Sequence, residues 1–135
     1  MLYITGKHAL NISCALKTCG DWHQSALRWE DITTRDSRKS IFGEYGIEQN
    51  KKVPNRKERF SVANHIRACL DLLEIGNFAV VQGMNNDYIC NDEYDGEVFK
   101  NVMRLKNVTH WKQIDLFMGR EYLCKWLDFK EEMRL

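Results

Sequence analysis

The sequence has one proline, Pro54, and no apolar run near the roughly 18 residues that a membrane-spanning helix requires, so a membrane is not expected among its partners. Neither sign of charge is in excess. Lys and Arg number 20 against 19 Asp and Glu, a net charge of +1, which excludes whole-molecule attraction to a polyanion as the basis of any activity. Phosphate-binding Gly-x-x-x-x-Gly-Lys and dinucleotide-binding Gly-x-Gly-x-x-Gly patterns are missing, as is any Cys-x-x-Cys pair, so common nucleotide folds and tight zinc knuckles are not expected. The opening Met-Leu-Tyr-Ile-Thr-Gly-Lys lacks the basic start and apolar core of a secretory signal. A cytoplasmic location is therefore expected. The five cysteines, an odd number, are expected to be free thiols in that reducing setting.

What is present is globular in character. Hydrophobic residues make up 44% and charged residues 29% of 135, enough apolar material for one domain spanning 1–135 with its own core. Leu2-Tyr-Ile4 and Ala9-Leu-Asn-Ile12 suggest two short extended segments around Gly6. Asp21 is placed to cap a helix from Trp22 to about Glu30, with Trp22, Ala26 and Trp29 on one face. Between Asp31 and Arg59 periodicity fades, and the apolar residues Ile41, Phe42, Tyr45 and Ile47 are expected to pin this long connection to the core. Ser61 is positioned to cap the strongest helix, Val62 to Ile75, where Val62, Ile66, Cys69, Leu70 and Leu73 recur at helical spacing and Gly76 supplies the left-handed end. Phe78 to Val81 reads as a buried strand, and Gly96 to Leu105 as a helix with acids at its start. Finally, Trp111, Ile114, Met118, Tyr122, Trp126, Phe129 and Met133 form an apolar stripe, preceded by Thr109 as a cap, that fits one helix weakened at Gly119 or two helices sharing a face. The expected class is α+β, mainly helical with about four helices and a few short strands.

Chemistry-bearing residues are densest between Cys14 and Trp29, where two cysteines, a histidine, an acid and two tryptophans fall within sixteen positions. Thiolate and imidazole are the ligands tetrahedral zinc prefers, so Cys14, Cys19 and His23, completed by His65 and Cys69 at i and i+4 of the central helix, define a candidate metal set. The same residues allow a cysteine nucleophile: Cys19 near a helix start, His23 or His65 as base and Asp21 as its orienting carboxylate. The expectation set against both is that the cysteines are small core residues, with no cofactor held. A calcium loop beginning at Asn91 is excluded, because its twelfth position is Val102 rather than Glu.

Charge is unevenly distributed. Arg35 to Arg59 carries a local net charge of +4, from eight basic residues (Arg35, Arg38, Lys39, Lys51, Lys52, Arg56, Lys57 and Arg59) against four acids (Asp36, Glu44, Glu48 and Glu58), whereas Asn85 to Phe99 holds five acids and no base. Aromatic residues in loops are favoured interface anchors, which makes Tyr88, Asp92, Glu93, Tyr94 and Asp95 the first candidate surface. The leading expectation is a non-catalytic module that binds another protein there, as an inhibitor or regulatory partner. The second is RNA or single-stranded DNA binding through Arg35, Arg38, Lys51, Lys52, Arg56, Lys57 and Arg59, with Phe42, Tyr45 and Phe60 available for stacking. The metal or cysteine-enzyme reading is the third.

Overall fold

A computed structural model describes residues 1–134. Its sheet has four strands in the order β2-β1-β4-β3: β1 (Leu2–Ile4), β2 (Thr34–Asp36), β3 (Ile47–Lys52) and β4 (Arg59–Ala63). β1 runs antiparallel to β2, with Tyr3 opposite Arg35, and parallel to β4, with Ile4 opposite Val62. β3 and β4 form an antiparallel hairpin whose register shifts between Glu48 and Lys51. Three of the four strands thus lie in or next to the stretch expected to be an irregular connection. Their sequences are polar and short because β2 and β3 are edge strands, and only β1 and the end of β4 have core residues to show.

Gly6 to Leu10 is a short helix, α1, rather than the start of a second strand; Gly6, Ala9 and Leu10 are buried in it. The central helix α2 is His65–Ile75. Asn64, not Ser61, caps it, its side chain accepting the Arg67 N–H at 2.8 Å, and the residues expected to open the helix instead complete β4. Gly76 closes α2 at φ 82, as its position in the sequence implies. Phe78–Val81 forms a single helical turn, α3, capped by Asn77 rather than a strand, and Met84–Ile89 continues as a π-helical turn.

α4 (Asp95–Met103), α5 (Trp111–Tyr122) and α6 (Cys124–Met133) complete the chain. The apolar stripe is divided between two helices, but at Leu123, which adopts φ 55, and not at Gly119. Thr109 is not the cap of α5; that position is His110, without a side-chain cap bond. The reversal at Leu123 turns Trp126 back onto α5, where its indole N–H donates to Asp115 at 2.8 Å, and its ring meets Phe99 of α4 at 5.5 Å. The fold is α+β, with four helices of seven or more residues. Among the described residues no helix is long and apolar enough to cross a membrane.

One polar cluster sits inside this core. Arg67 and Asp71, one turn apart on α2, are 0% and 1% exposed. Asp71 accepts from Arg67, from Arg35 of β2, and from the hydroxyls of Tyr3 and Thr5 at 2.6 Å each; Arg67 also donates to Tyr3 and to the Gly43 and Tyr45 carbonyls. The partners come from four places in the chain, so the cluster ties α2, β1, β2 and the loop before β3 together.

Candidate functional site

The segment from Cys14 to Trp29 is a loop with one 3-10 turn at Gln24–Ala26, not a helix from Trp22. Asn11 accounts for the difference. Its carbonyl and side chain bind Gln24, the His23 N–H and Asp21, so the amides and carboxylate that would have begun a helix are directed back to α1. Asp21 also bonds the His23 ring. Burial works against its charge, but the His23 and Asn11 hydrogen bonds outweigh that and hold its carboxyl below the ordinary value. Gly20 lies at φ 72 with no room for a side chain: a Cβ there would stand 2.7 Å from the His65 ring and from the Leu10 carbonyl. Trp29 is buried as expected, but Trp22, expected on the same buried face, is 84% exposed.

The five residues of the proposed metal set are dispersed. Cys19 is bonded to Cys90, with Cα atoms 5.9 Å apart, against the expectation of five free thiols. A Gly20 N–H to Tyr88 carbonyl bond of 2.8 Å aligns the two strands of chain beside that bridge. Sequence spacing, 71 residues, carried no sign of the pairing. Cys69 is fully buried and its thiol is pushed up by that burial. His23 faces Asp21. Only Cys14 and His65 come together, through Thr18: Sγ lies 3.4 Å from the Thr18 hydroxyl, which lies 2.7 Å from His65 Nδ1. Among the described residues no group of three or more His, Cys, Asp or Glu converges to hold a metal.

The acidic loop is tied down by its own contacts. Tyr88 donates to the Val80 carbonyl at 3.1 Å, and the Tyr94 hydroxyl accepts the Lys17 N–H at 3.0 Å. Lys125 of α6 lies 3.8 Å from Asp92 and 3.5 Å from Asp95. Glu93 remains exposed and makes no ion pair among the described residues.

The basic stretch separates onto opposite edges of the sheet. On the β2 edge Arg35 is held by Asp71 and Glu74, each at 3.0 Å, and Arg38 by Asp36 at 2.7 Å. Both arginines are therefore ion-paired, Arg35 largely inside the fold and Arg38 at the surface. On the β3 edge Lys51, Lys52, Arg56, Lys57 and Arg59 surround a cleft of about 780 Å³ with no carboxylate in its lining. Val53 and Pro54 give it apolar wall, while Ser13, Gln24, Asn50 and Asn55 add neutral polar groups. Lys51 pairs with Glu48 and Arg56 with Glu58, but Lys52, Lys57 and Arg59 pair with no acid among the described residues. Arg56 also donates to the Trp29 carbonyl and lies over the Phe60 ring at 5.3 Å, which anchors the hairpin loop to the body. Gln24, Ile12 and Ser13 continue this cleft into a smaller one of about 210 Å³ that Trp22, Asp21 and His65 line. Trp22 is the residue that sequence reasoning missed. Asn11, eleven residues away and decisive for its exposure, offered no local signal.

Comparison with protein-family models, curated proteins and solved structures returns no match, so the functional reading rests on this geometry.

Proposed function

We propose that the chain is a non-catalytic binding module for single-stranded nucleic acid, with the β3-β4 cleft as its backbone site and Trp22 as a base-stacking platform. The observation that carries this is the cleft lining: five cations, no carboxylate, and three of the cations without an acidic partner. A strand of phosphates compensates such a lining and releases its own counterions on binding. The neighbouring cleft leads to an indole left almost wholly in solvent, and every base has a face that can stack on it. A duplex presents no open base to Trp22, so the reading is specific to single strands.

The test is a titration of the protein with a fluorescein-labelled single-stranded oligonucleotide and with its duplex, at low and moderate salt, with tryptophan emission followed in parallel. Single-strand binding that weakens steeply with salt and quenches emission in the wild type, but not in Trp22→Phe, is the expected result. Equal affinity for duplex, or no binding at low salt, contradicts it.

A protein partner is the second reading, favoured by a cleft of about 460 Å³ in which Trp22 and His23 face Asn86, Asp87 and Tyr88. It joins the exposed indole to the acidic loop, and buried Trp is a common interface anchor. A co-purified protein lost with Trp22→Ala but retained with Lys52→Ala would move this reading ahead of the first.

A further inference from the structure

We propose that Cys14 is a nucleophilic thiol, activated through Thr18 by His65, and is the site at which small disulfides form a reversible mixed disulfide with this protein. The proposal does not depend on nucleic-acid binding.

It rests on a directed hydrogen-bond chain. His65 Nε2 lies 2.8 Å from the Ile12 carbonyl, an acceptor only, so Nε2 carries the proton and Nδ1 of the neutral ring is the acceptor. Nδ1 therefore takes the Thr18 O–H at 2.7 Å, leaving the Thr18 oxygen to accept from the Cys14 S–H at 3.4 Å. When the thiol ionises, its proton passes to the Thr18 oxygen while the Thr18 proton moves to His65 Nδ1. The result is a thiolate and an imidazolium, the latter held at both nitrogens.

The charges around the pair favour this state. Glu48 of β3 accepts the Ala15 N–H at 2.7 Å, is itself paired with Lys51, and adds negative charge on the imidazolium side. Burial alone would keep both groups neutral. The nearby His65 and the Thr18 hydroxyl reverse that at the sulfur, whose pKa comes down to about 7, and the nearby Cys14 and the Ile12 carbonyl reverse it at His65, which is pushed up. His65 is buried while Cys14 is half-buried, so the base is held in the core and the thiol residue keeps some contact with solvent. The other two free thiols lack such support: Cys69 is buried, and Cys124 is exposed without a hydrogen-bond partner among the described residues.

In the reaction the Cys14 thiolate attacks one sulfur of a low-molecular-weight disulfide. The new bond joins Sγ to that sulfur, and the old S–S bond breaks with its electron pair on the departing thiolate, which takes a proton. Cys14 is oxidised and half of the small disulfide is reduced, so no other reactant is required.

The test measures alkylation of each free cysteine by iodoacetamide from pH 5 to 9, resolved by peptide mass spectrometry, with glutathione disulfide as the second probe. Cys14 is expected to show an inflection near pH 7 and to carry the glutathione adduct, with Cys124 as the internal reference. Thr18→Val keeps the side-chain shape but removes the relay. It should raise the inflection toward the ~8.5 of an ordinary thiol, slowing Cys14 at pH 6 by roughly tenfold or more without moving Cys124. His65→Gln should act in the same direction, and Thr18→Val decides the matter if the histidine variant does not fold. An inflection of Cys14 above pH 8 in the wild type, an unchanged profile in Thr18→Val, or absence of the Cys14 adduct would overturn the proposal.

Discussion

The two edges of the sheet carry arginine and lysine in similar density, yet the fold uses them in opposite ways. On the β2 edge Arg35 reaches inward to Asp71 and Glu74, and Arg38 closes on Asp36, so both arginines of that edge are paired and Lys39 alone has no acid among the described residues. On the β3 edge Lys52, Lys57 and Arg59 find no acid among the described residues, and all three face one cleft. Local charge in the sequence is therefore a poor guide to function until pairing is known. A basic stretch is informative where the structure has failed to neutralise it.

The largest effect should come from breaking the inward side of this contrast. Asp71→Ala removes the carboxylate around which Arg67, Arg35, Tyr3 and Thr5 are arranged and leaves Arg67 buried without its counter-charge. A loss of about 3–5 kcal/mol in urea unfolding is expected. A loss below 1 kcal/mol would show that the β2-edge charges are not structural. Next comes the outward side. Lys52→Ala, Lys57→Ala and Arg59→Ala combined should leave unfolding almost unchanged while weakening single-strand binding roughly a hundredfold at 0.1 M salt, as three lost phosphate contacts imply. Fluorescence anisotropy measures it, and a variant that binds as wild type would remove the cleft from the site.

Trp22→Ala is expected to cost about 1–3 kcal/mol of binding with little change in stability, because its ring is in solvent. The smallest effect is assigned to Arg38→Ala, a cation as basic in the sequence as Arg59 but paired with Asp36 on the wrong edge. It should alter neither the affinity nor its salt dependence, and a clear loss there would erase the distinction between the edges.

Helices with a strong periodic face were legible in advance. α2, α4, α5 and α6 lie close to where apolar spacing puts them, and Gly76 ends α2 as its residue type suggests. Elements set by distant partners were not. β2 and β3 are edge strands whose polar residues show no alternation strong enough to read, and α3 is an apolar tetrapeptide, buried only at Val81, that fits a strand equally well until the Asn77 cap is seen. The same limit applies to the site. Lys51 to Arg59 could be named as a basic surface from sequence, but Arg35 and Arg38 could be separated from it only through Asp71, Glu74 and Asp36. Trp22 looked like core because Asn11, not Asp21, governs the turn that exposes it. Of the Cys14 to Trp29 segment, the meeting of Cys14 with His65 was anticipated only as one pair within a larger metal set, and Thr18, which joins them, was not singled out.

The salt dependence of single-strand binding tests the central claim most directly, with the wild type and the Lys52, Lys57, Arg59 triple alanine variant measured side by side. Five contacting cations predict that the logarithm of affinity falls with that of salt at a slope of about −3.5, and the triple variant should be shallower by about 2. No measurable wild-type binding at low salt, or parallel slopes for the two proteins, would contradict the assignment of the β3-edge cleft.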